Sequence, residues 1–531
     1  MQPTIIIHRE YIMGIPLFFR KIVSQNQRLI IEEAPACQRL FLDFNGIIHG
    51  AAARVLQESS ISLSKIHHEE RIIKETIAYM ETIVSYAKPN ALLFLGIDGV
   101  APLAKIQQQR SRRHMSHLLK TLETYVPPKF EWDTNAISPG TEFMCKCAIA
   151  LRNHFEKKQY PFDCVVSDSF ELGEGEHKIF NHIEQFPCSN GNDVVYGLDA
   201  DLIMLGIISK QTHIYLLREP VHFRHDPRSK PFLYFDVNSF RSALRSRYNN
   251  AIDLRSYVFL CFMIGNDFLP PLGFLHIRNN DIDTLVHVYI RLLDSSTALE
   301  RPSMVYHDGD KYVVNSDLLE GVLRALSDKE PEFYKKAHTA YFNQSTNHLK
   351  TKEQRFDNYG IYKKNYALQG LFDGNWIQSY YVELFGMSIT PDSLIHDTCN
   401  YYLKGVIWTT EYYFNKRNAF KWFYPYTYSP TIIDVYNLVQ TSYEEINRVC
   451  DKTPSLHVEP ELQLLMILPI QSKSILPKHL QKFVESDSPL GYMFPRKFEL
   501  QTYMKIKLHE CVPILPTLQV DHFVQIYDHI H

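Results

Sequence analysis

Val194-Val195-Tyr196-Gly197-Leu198-Asp199 is a short apolar run that stops on a carboxylate, and its shape occurs twice upstream. Leu40-Phe41-Leu42 stops on Asp43, and the run from Leu92 to Ile97 stops on Asp98. Such runs, rich in Val, Ile, Leu and Phe, read as buried strands. Each is followed by a helical pattern, the alternation of an α/β domain with a largely parallel sheet. In these sheets ligands gather at the carboxyl ends of the strands. Acids delivered there by three separate strands are expected to meet in one crevice.

Outward from these runs, helical patterns are predicted over roughly 101 to 125, 176 to 186 and 252 to 264. The last contains the nearly all-apolar Tyr257-Val258-Phe259-Leu260-Cys261-Phe262-Met263-Ile264 and should lie in the core. Between 301 and 375 the pattern weakens into polar stretches such as Asn343-Gln344-Ser345-Thr346-Asn347, read as a reduced linker or insertion. From Trp376 the chain turns strongly aromatic, with Tyr401, Tyr402, Trp408, Tyr412, Tyr413, Phe414, Phe420, Trp422 and Phe423 close together.

The 531 residues, 45% of them apolar, can fill two or three domains' worth of core. No apolar run approaches the roughly 18 residues of a membrane span. Ile5-Ile6-Ile7 is stopped by His8-Arg9-Glu10, unlike a signal peptide, so a soluble intracellular protein is expected. The nine cysteines form no CxxC pair, and Cys145 and Cys147 suit a helix better than zinc. With 56 basic and 59 acidic side chains the net charge of −3 signals no nucleic acid, but the distribution is uneven. Gly99 to Thr121 lacks any acid yet holds Lys105, Arg110, Arg112, Arg113 and Lys120.

Five segments hold acids in unusual company: Asp43 in LDFNGIIHG, Asp98 in GIDGVAPLAK, Glu174 and Glu176 in GEGEHK, Asp199 and Asp201 in GLDADLIM, and Asp267 in IGNDFLPPL. Singly, each has an ordinary explanation as a turn, a helix start or an N-cap. Jointly, seven carboxylates against apolar strand ends would repel one another and lose hydration unless cations sat among them. Oxygen-only ligands suit Mg²⁺ or Mn²⁺ better than zinc. Two such ions about 4 Å apart can clamp a phosphodiester, which makes its hydrolysis the leading reaction type. The Glu-x-Glu and Asp-x-Asp spacings put both members of a pair on one side of an extended backbone. Gly173 and Gly175, lacking Cβ, would let backbone approach a phosphate. Lys105, Gln109, Arg112 and Arg113 share one helical face just after Asp98, a cationic surface suited to a terminal phosphate.

These segments resemble the XRN-type 5′-to-3′ exoribonucleases of cytoplasmic mRNA decay. The match runs through MGIPLFFRKI (Met13 to Ile22), LDFNGIIH (Leu42 to His49), IDGVAPLAKIQQQRSRR (Ile97 to Arg113), ISPGTEFM (Ile137 to Met144), GEGEHKI (Gly173 to Ile179), YGLDADLIMLG (Tyr196 to Gly206) and IGNDFLP (Ile264 to Pro270). Later stretches, YYLKGVIWTTEYYF, AFKWFYPYTYSP, LQLLMILP and HECVPILP, are also similar.

The resemblance implies a PIN/flap-nuclease-like, largely parallel α/β sheet flanked by helices. An aromatic-rich, mainly helical second region would pack against it. It implies an extension at 1–12, a nuclease domain at 13–300, the linker at 301–375 and the second region at 376–531, which closes the site. The acidic cluster of Asp43, Asp98, Glu174, Glu176, Asp199, Asp201 and Asp267 would be catalytic and hold two Mg²⁺ (or Mn²⁺) ions. Lys105, Gln109, Arg112 and Arg113 would form a 5′-monophosphate pocket too tight for a cap or triphosphate. His49 would stack on the leading bases, with Trp422 closing the stack and Phe420 and Trp408 as alternatives. The implied activity is processive 5′-to-3′ hydrolysis of single-stranded, 5′-monophosphorylated RNA by a cytoplasmic monomer, with a decapping enzyme as partner and no membrane.

Three features depart from the pattern. Leu103 stands where relatives carry a basic residue, Leu172 replaces a proline, and twelve residues precede Met13. The brevity points to a compact form of the kind a large DNA virus would encode, acting then in the host cytoplasm. Two other classes compete. A flap-type, structure-specific DNA nuclease would lack the aromatic region and the phosphate helix as a unit. An inactive RNA-binding scaffold would gain nothing from anions placed near phosphates.

Overall fold

The computed structural model describes residues 18–31, 33, 35–58, 65–122, 132–188, 191–220, 230–276, 279–295, 301–309, 311–386, 392–415, 420–456 and 458–529. The expected extension at 1–12 and the start of the MGIPLFFRKI motif lie outside these residues.

The three apolar runs are strands at the centre of a seven-stranded sheet. Its strands are β1 (Ile30–Ile31), β2 (Arg39–Asp43), β3 (Leu92–Gly96), β4 (Asp163–Ser167), β5 (Asp193–Tyr196), β6 (Ile214–Arg218) and β7 (Leu233–Asp236). They stand in the order β1-β7-β6-β5-β2-β3-β4. The five strands from β6 to β4 run parallel, while β7 is antiparallel to β6, and β1 to β7. Register sets Leu42 beside Leu95 and Tyr196, so the acids that follow emerge at one edge. The chain builds outward from β2 through β3 to β4, then returns to β5 on its other side. β2 and β5 therefore flank a topological switch point, where a crevice opens at strand ends.

Side chains alternate across the sheet with a period of two. Leu40, Leu42, Leu93, Leu95, Val194 and Tyr196 enter one buried cluster, and Phe41, Phe94 and Val195 enter the other. Burial on both faces explains why these strands read as unbroken apolar runs. At the opposite strand ends, Arg39 and Asp193 form a buried two-pronged ion pair at 2.7 and 2.6 Å.

The sheet-forming half carries α1 (Phe18–Gln25), α2 (Phe44–Glu58), α3 (Lys65–Ala87), α4 (Leu103–Leu122), α5 (Glu142–Lys157), α6 (Gly175–Gln185), α7 (Asp201–Ile208), α8 (Val237–Arg247), α9 (Leu254–Phe262) and α10 (Asp281–Ser295). The three helices predicted from sequence are α4, α6 and α9, and α9 is buried along nearly its whole length. Cys145 and Cys147 lie on α5, the latter buried.

The stretch 301–375, read from the sequence as a reduced linker or insertion, is packed. It holds the hairpin β8 (Val305–Asp308) and β9 (Lys311–Val314), then α11 (Ser316–Ser327), α12 (Glu330–Asn343), α13 (Lys352–Asp357) and α14 (Tyr359–Tyr362). Val322, Leu323, Tyr334 and Tyr341 from this stretch join the same buried cluster as Phe41. Its buried residues are mostly aliphatic, among them Leu319, Val322, Leu323 and Leu326 at helical spacing on α11, and polar turns separate the short elements.

Beyond it come α15 (Trp376–Phe385), α16 (Asp392–Thr410), α17 (Ile432–Lys452), α18 (Pro460–Ile467) and α19 (Val520–Asp528), with the short pair β10 (Leu500–Gln501) and β11 (Val512–Pro513). The aromatic segments of this region share the core of the Phe41 face. α18 and α19 instead close a third cluster over Leu103 and Ile106 of α4. Leu103 is therefore an apolar anchor, only 5% exposed. Among the described residues no helix is long and apolar enough to cross a membrane.

Candidate active site

The acids sit where strands end and helices begin. Asp43 is the last residue of β2, Asp98 follows β3, Asp199 follows β5, and Asp267 lies in the turn after α9. Glu176 and Asp201 occupy the first turns of α6 and α7. Free backbone N–H groups and the helix dipole favour carboxylates there. The extended-backbone rationale for the paired spacings is corrected by this geometry. Glu174 is the residue before the first turn of α6, and Ala200, between the aspartates, is already helical at φ −69° and ψ −25°. Each pair straddles a helix start.

Asp43, Asp98 and Glu176 present carboxylate oxygens that all lie within 4.8 Å of one another, a spacing that suits a single cation. Asp98 is held in place from behind. Asn45 donates to it at 2.9 Å and accepts from its backbone N–H at 3.1 Å, and the Gly175 N–H donates to it at 2.7 Å. A Cβ on Gly175 would stand 2.7 Å from the Gly96 carbonyl and 3.2 and 3.3 Å from the Asp43 and Asp98 carboxylates. Gly175 is thus required for packing among the acids. Gly173 has open space around it and φ +98°.

The second group is Asp199, Asp201 and Asp267, whose charges oppose one another. Between the groups lies Lys105, 2% exposed, with Nζ 2.6 Å from Glu174 and 2.9 Å from Asp267. Burial alone would lower the Lys105 ammonium. The carboxylates of Asp267, Glu174, Glu176 and Asp201 outweigh it and hold it well above its ordinary value. Lys105, expected among the phosphate ligands, is thereby engaged by the acidic cluster.

One buried ammonium does not balance this many anions. Enclosure, and then mutual repulsion, raise Asp43, Glu176 and Asp201 well above the usual carboxylate range and push Asp199 up to about 6. A site that strains against its own ionisation, built only from oxygen donors, fits divalent cations.

Beside the acids runs α4. Arg112 reaches the field of Asp199, and Arg113 that of Asp98, so both guanidinium groups border the cluster. Arg113 donates to Asn135 Oδ1 at 2.8 Å, and Gln109 accepts from Gln463 at 3.4 Å. Arg110 points the other way: 1% exposed, it donates to the carbonyls of Pro516 and Met493 at 2.7 and 2.8 Å. It ties α4 to the C-terminal region. His49, on α2, is exposed. The protein around it, then Arg112 and Arg113, lower its imidazole below the ordinary value, so the ring is neutral.

The structure moves Trp422 away from the role expected of it. It is 4% exposed, donates from Nε1 to the Tyr401 carbonyl at 3.0 Å and packs on Trp408 at 5.6 Å. Trp408 is fully buried, and Phe420 is 9% exposed. These rings were expected at a base stack because aromatic density marks either a core or a platform, and here it marks a core.

The aromatic region meets the acids through residues that the sequence reading passed over. Tyr412 donates its hydroxyl to Glu174, and the Tyr413 phenol lies close enough to Asp201 to favour its charged form. Burial and the adjacent carboxylates keep both phenols protonated. Their only signal in the sequence was adjacency inside the aromatic stretch. Asn45 carried a slightly clearer one, as a polar residue just past a strand-end acid.

The family model described as the XRN 5′-3′ exonuclease N-terminus matches residues 13–220, and that of the Xrn1 helical domain matches 247–370 and 316–525. The chain is 26% identical to 5′-3′ exoribonuclease 1 of Homo sapiens, with 95% of this chain and 33% of that protein aligned. Against 5′-3′ exoribonuclease 1 of Schizosaccharomyces pombe it is 26% identical, over 95% of this chain and 47% of that protein. With 5′-3′ exoribonuclease 2 of Kluyveromyces lactis it shares 30% identity over 61% of this chain and 40% of that protein. The chain therefore spans about a third to a half of the length of these relatives. The solved catalytic core of Rad2 in complex with DNA substrate overlaps 52% of this chain and 69% of its own, at 14% identity and a TM-score of 0.29, too slight a likeness to bear on function. With the helical-domain model spanning more than half of the residues and the exonuclease model covering six of the seven strands, the chain belongs to the XRN family.

Proposed function

We propose that the protein is a 5′-to-3′ exoribonuclease that hydrolyses single-stranded RNA bearing a 5′ monophosphate, releasing nucleoside monophosphates. The observation that carries this reading is the convergence of Asp43, Asp98 and Glu176 within 4.8 Å, with Arg112 and Arg113 alongside. The names of the relatives agree with it.

Asp43, Asp98, Glu174 and Glu176 would hold one divalent cation, and Asp199, Asp201 and Asp267 a second, with Lys105 between them. When bound, the ions supply positive charge to the attacking and leaving oxygens of an in-line displacement. Arg112 and Arg113, with Gln109, would grip the terminal phosphate, since planar guanidinium groups bind its oxygens in pairs. Lys105 would form the floor shared by pocket and acids. The neutral His49 ring would stack on the first bases, a contact blind to sequence. Nine cysteines, all free thiols, suit a reducing compartment such as the cytoplasm.

The test uses end-labelled RNAs carrying 5′ phosphate, hydroxyl, triphosphate or cap, and a DNA flap, each with Mg²⁺ and with chelator. Mononucleotide release from the phosphorylated RNA alone, abolished by chelator, is expected. Preference for the flap, or intact phosphorylated RNA in Mg²⁺, refutes the proposal.

A further inference from the structure

α16 does not end at Thr410 but widens into a π-helical turn, Glu411–Asn415. In an α-helix successive side chains diverge by roughly 100°. A wider turn closes that angle, so two consecutive residues can address one surface, and such turns are frequent at functional sites. Tyr412 and Tyr413 are those residues here. The first donates to Glu174, and the second lies beside Asp201 in the Asp199 group, whose charged form it favours.

We infer that Tyr412 and Tyr413 are positioning residues of the metal centre, through which the helical region sets the orientation of Glu174 and Asp201 and hence cation affinity. This rests on the metal-dependent reading proposed above and extends it to a region that supplies none of the seven acids. The geometry of Glu174 supports it. Lys105 takes one of its oxygens and Tyr412 the other, so the carboxylate has no free rotation left. Both rings are fixed in turn: Tyr412 lies 4.9 Å from Trp408, stacked at 20°, and 3.9 Å from His177, and Tyr413 lies 4.6 Å from Phe262. A phenol clamped by packing on several sides holds its hydroxyl where a mobile side chain could not. Partners of this kind, behind metal ligands, typically contribute 10- to 100-fold to metal affinity.

Removing each hydroxyl while keeping its ring isolates the effect. Mn²⁺ binding to the full chain is measured by titration calorimetry for the wild type, Tyr412→Phe, Tyr413→Phe and Tyr402→Phe. The last is a control: Tyr402 is equally buried, but its hydroxyl donates to the Pro270 carbonyl at 3.1 Å. Each of the first two changes should weaken Mn²⁺ binding about tenfold, with Tyr402→Phe at the wild-type value. Wild-type affinity in Tyr412→Phe and Tyr413→Phe, or an equal loss in Tyr402→Phe, overturns the inference alone. A wild-type chain that binds no Mn²⁺ overturns it together with the metal reading of the acids.

Discussion

Replacing Lys105 with methionine keeps the length of the side chain and removes the ammonium that lies 2.6 Å from Glu174 and 2.9 Å from Asp267. In chelator no other cation is available to those acids, and the variant has two ways to respond. If both carboxylates stay ionised, a buried pair has been broken, at a cost of about 3–5 kcal/mol. If Glu174 instead takes a proton, the cost follows from its ordinary value of 4.5. At 1.36 kcal/mol per unit, protonation at pH 7 costs about 3.4 kcal/mol. Both routes converge on a deficit of about 3–4 kcal/mol.

The sign of the pH dependence follows. In the folded variant the Glu174 carboxyl has its value raised above that of the unfolded chain. The stability tied to its proton is present at low pH and lost as pH rises. Lowering the pH from 7 to 5.5 should therefore recover about 2 kcal/mol of the deficit relative to wild type. Urea unfolding in chelator at both pH values, followed by tryptophan fluorescence, measures it. An unchanged midpoint at pH 7, or a deficit that grows on acidification, refutes the claim that Lys105 balances buried acids.

Asp201→Ala should abolish hydrolysis while leaving the circular dichroism spectrum and unfolding midpoint close to wild type, since it relieves repulsion from Asp199 and Asp267. Arg112→Ala should lower the preference for 5′ phosphate over 5′ hydroxyl RNA about tenfold or more, as expected for a lost charged hydrogen bond of 1.5–3 kcal/mol; an unchanged ratio in competition assays counts against the pocket. Arg110→Ala strands the Pro516 and Met493 carbonyls and should cost about 3 kcal/mol or more by urea unfolding, with phosphate preference retained. Gly175→Ala forces a methyl group to 2.7 Å from the Gly96 carbonyl and toward Asp43 and Asp98. It should reduce activity at least 100-fold, and Mn²⁺ titration should show the loss in binding.

Much of the site was legible because its chemistry is unusual for its local setting. A carboxylate closing an apolar strand is conspicuous in one dimension, and three such strands imply one crevice by the rule of parallel sheets. The cationic face of α4 was legible for the same reason, since helical periodicity assigns faces without reference to the rest of the fold. Lys105 shows the limit of that reasoning. Periodicity grouped it with Arg112 and Arg113, yet Glu174 and Asp267, neither of them near it in the chain, decide where its charge goes. Trp422 shows another: an aromatic side chain looks the same in sequence whether it lines a cleft or fills a core. Its burial depends on the close approach of Gly405, where a Cβ would stand 2.4 Å from the indole.

The amino-acid sequence by itself determined the alternating α/β order, the identity of the acids and the cationic helix beside them, because strand and helix periods and strand-end placement are local properties. Only the tertiary structure decided the pairing of Lys105 with Glu174 and Asp267, the burial of Trp422 and the reach of Tyr412 and Tyr413 onto the acids. Those contacts join residues as far as 238 positions apart, and no local period encodes which distant groups a folded chain will press together.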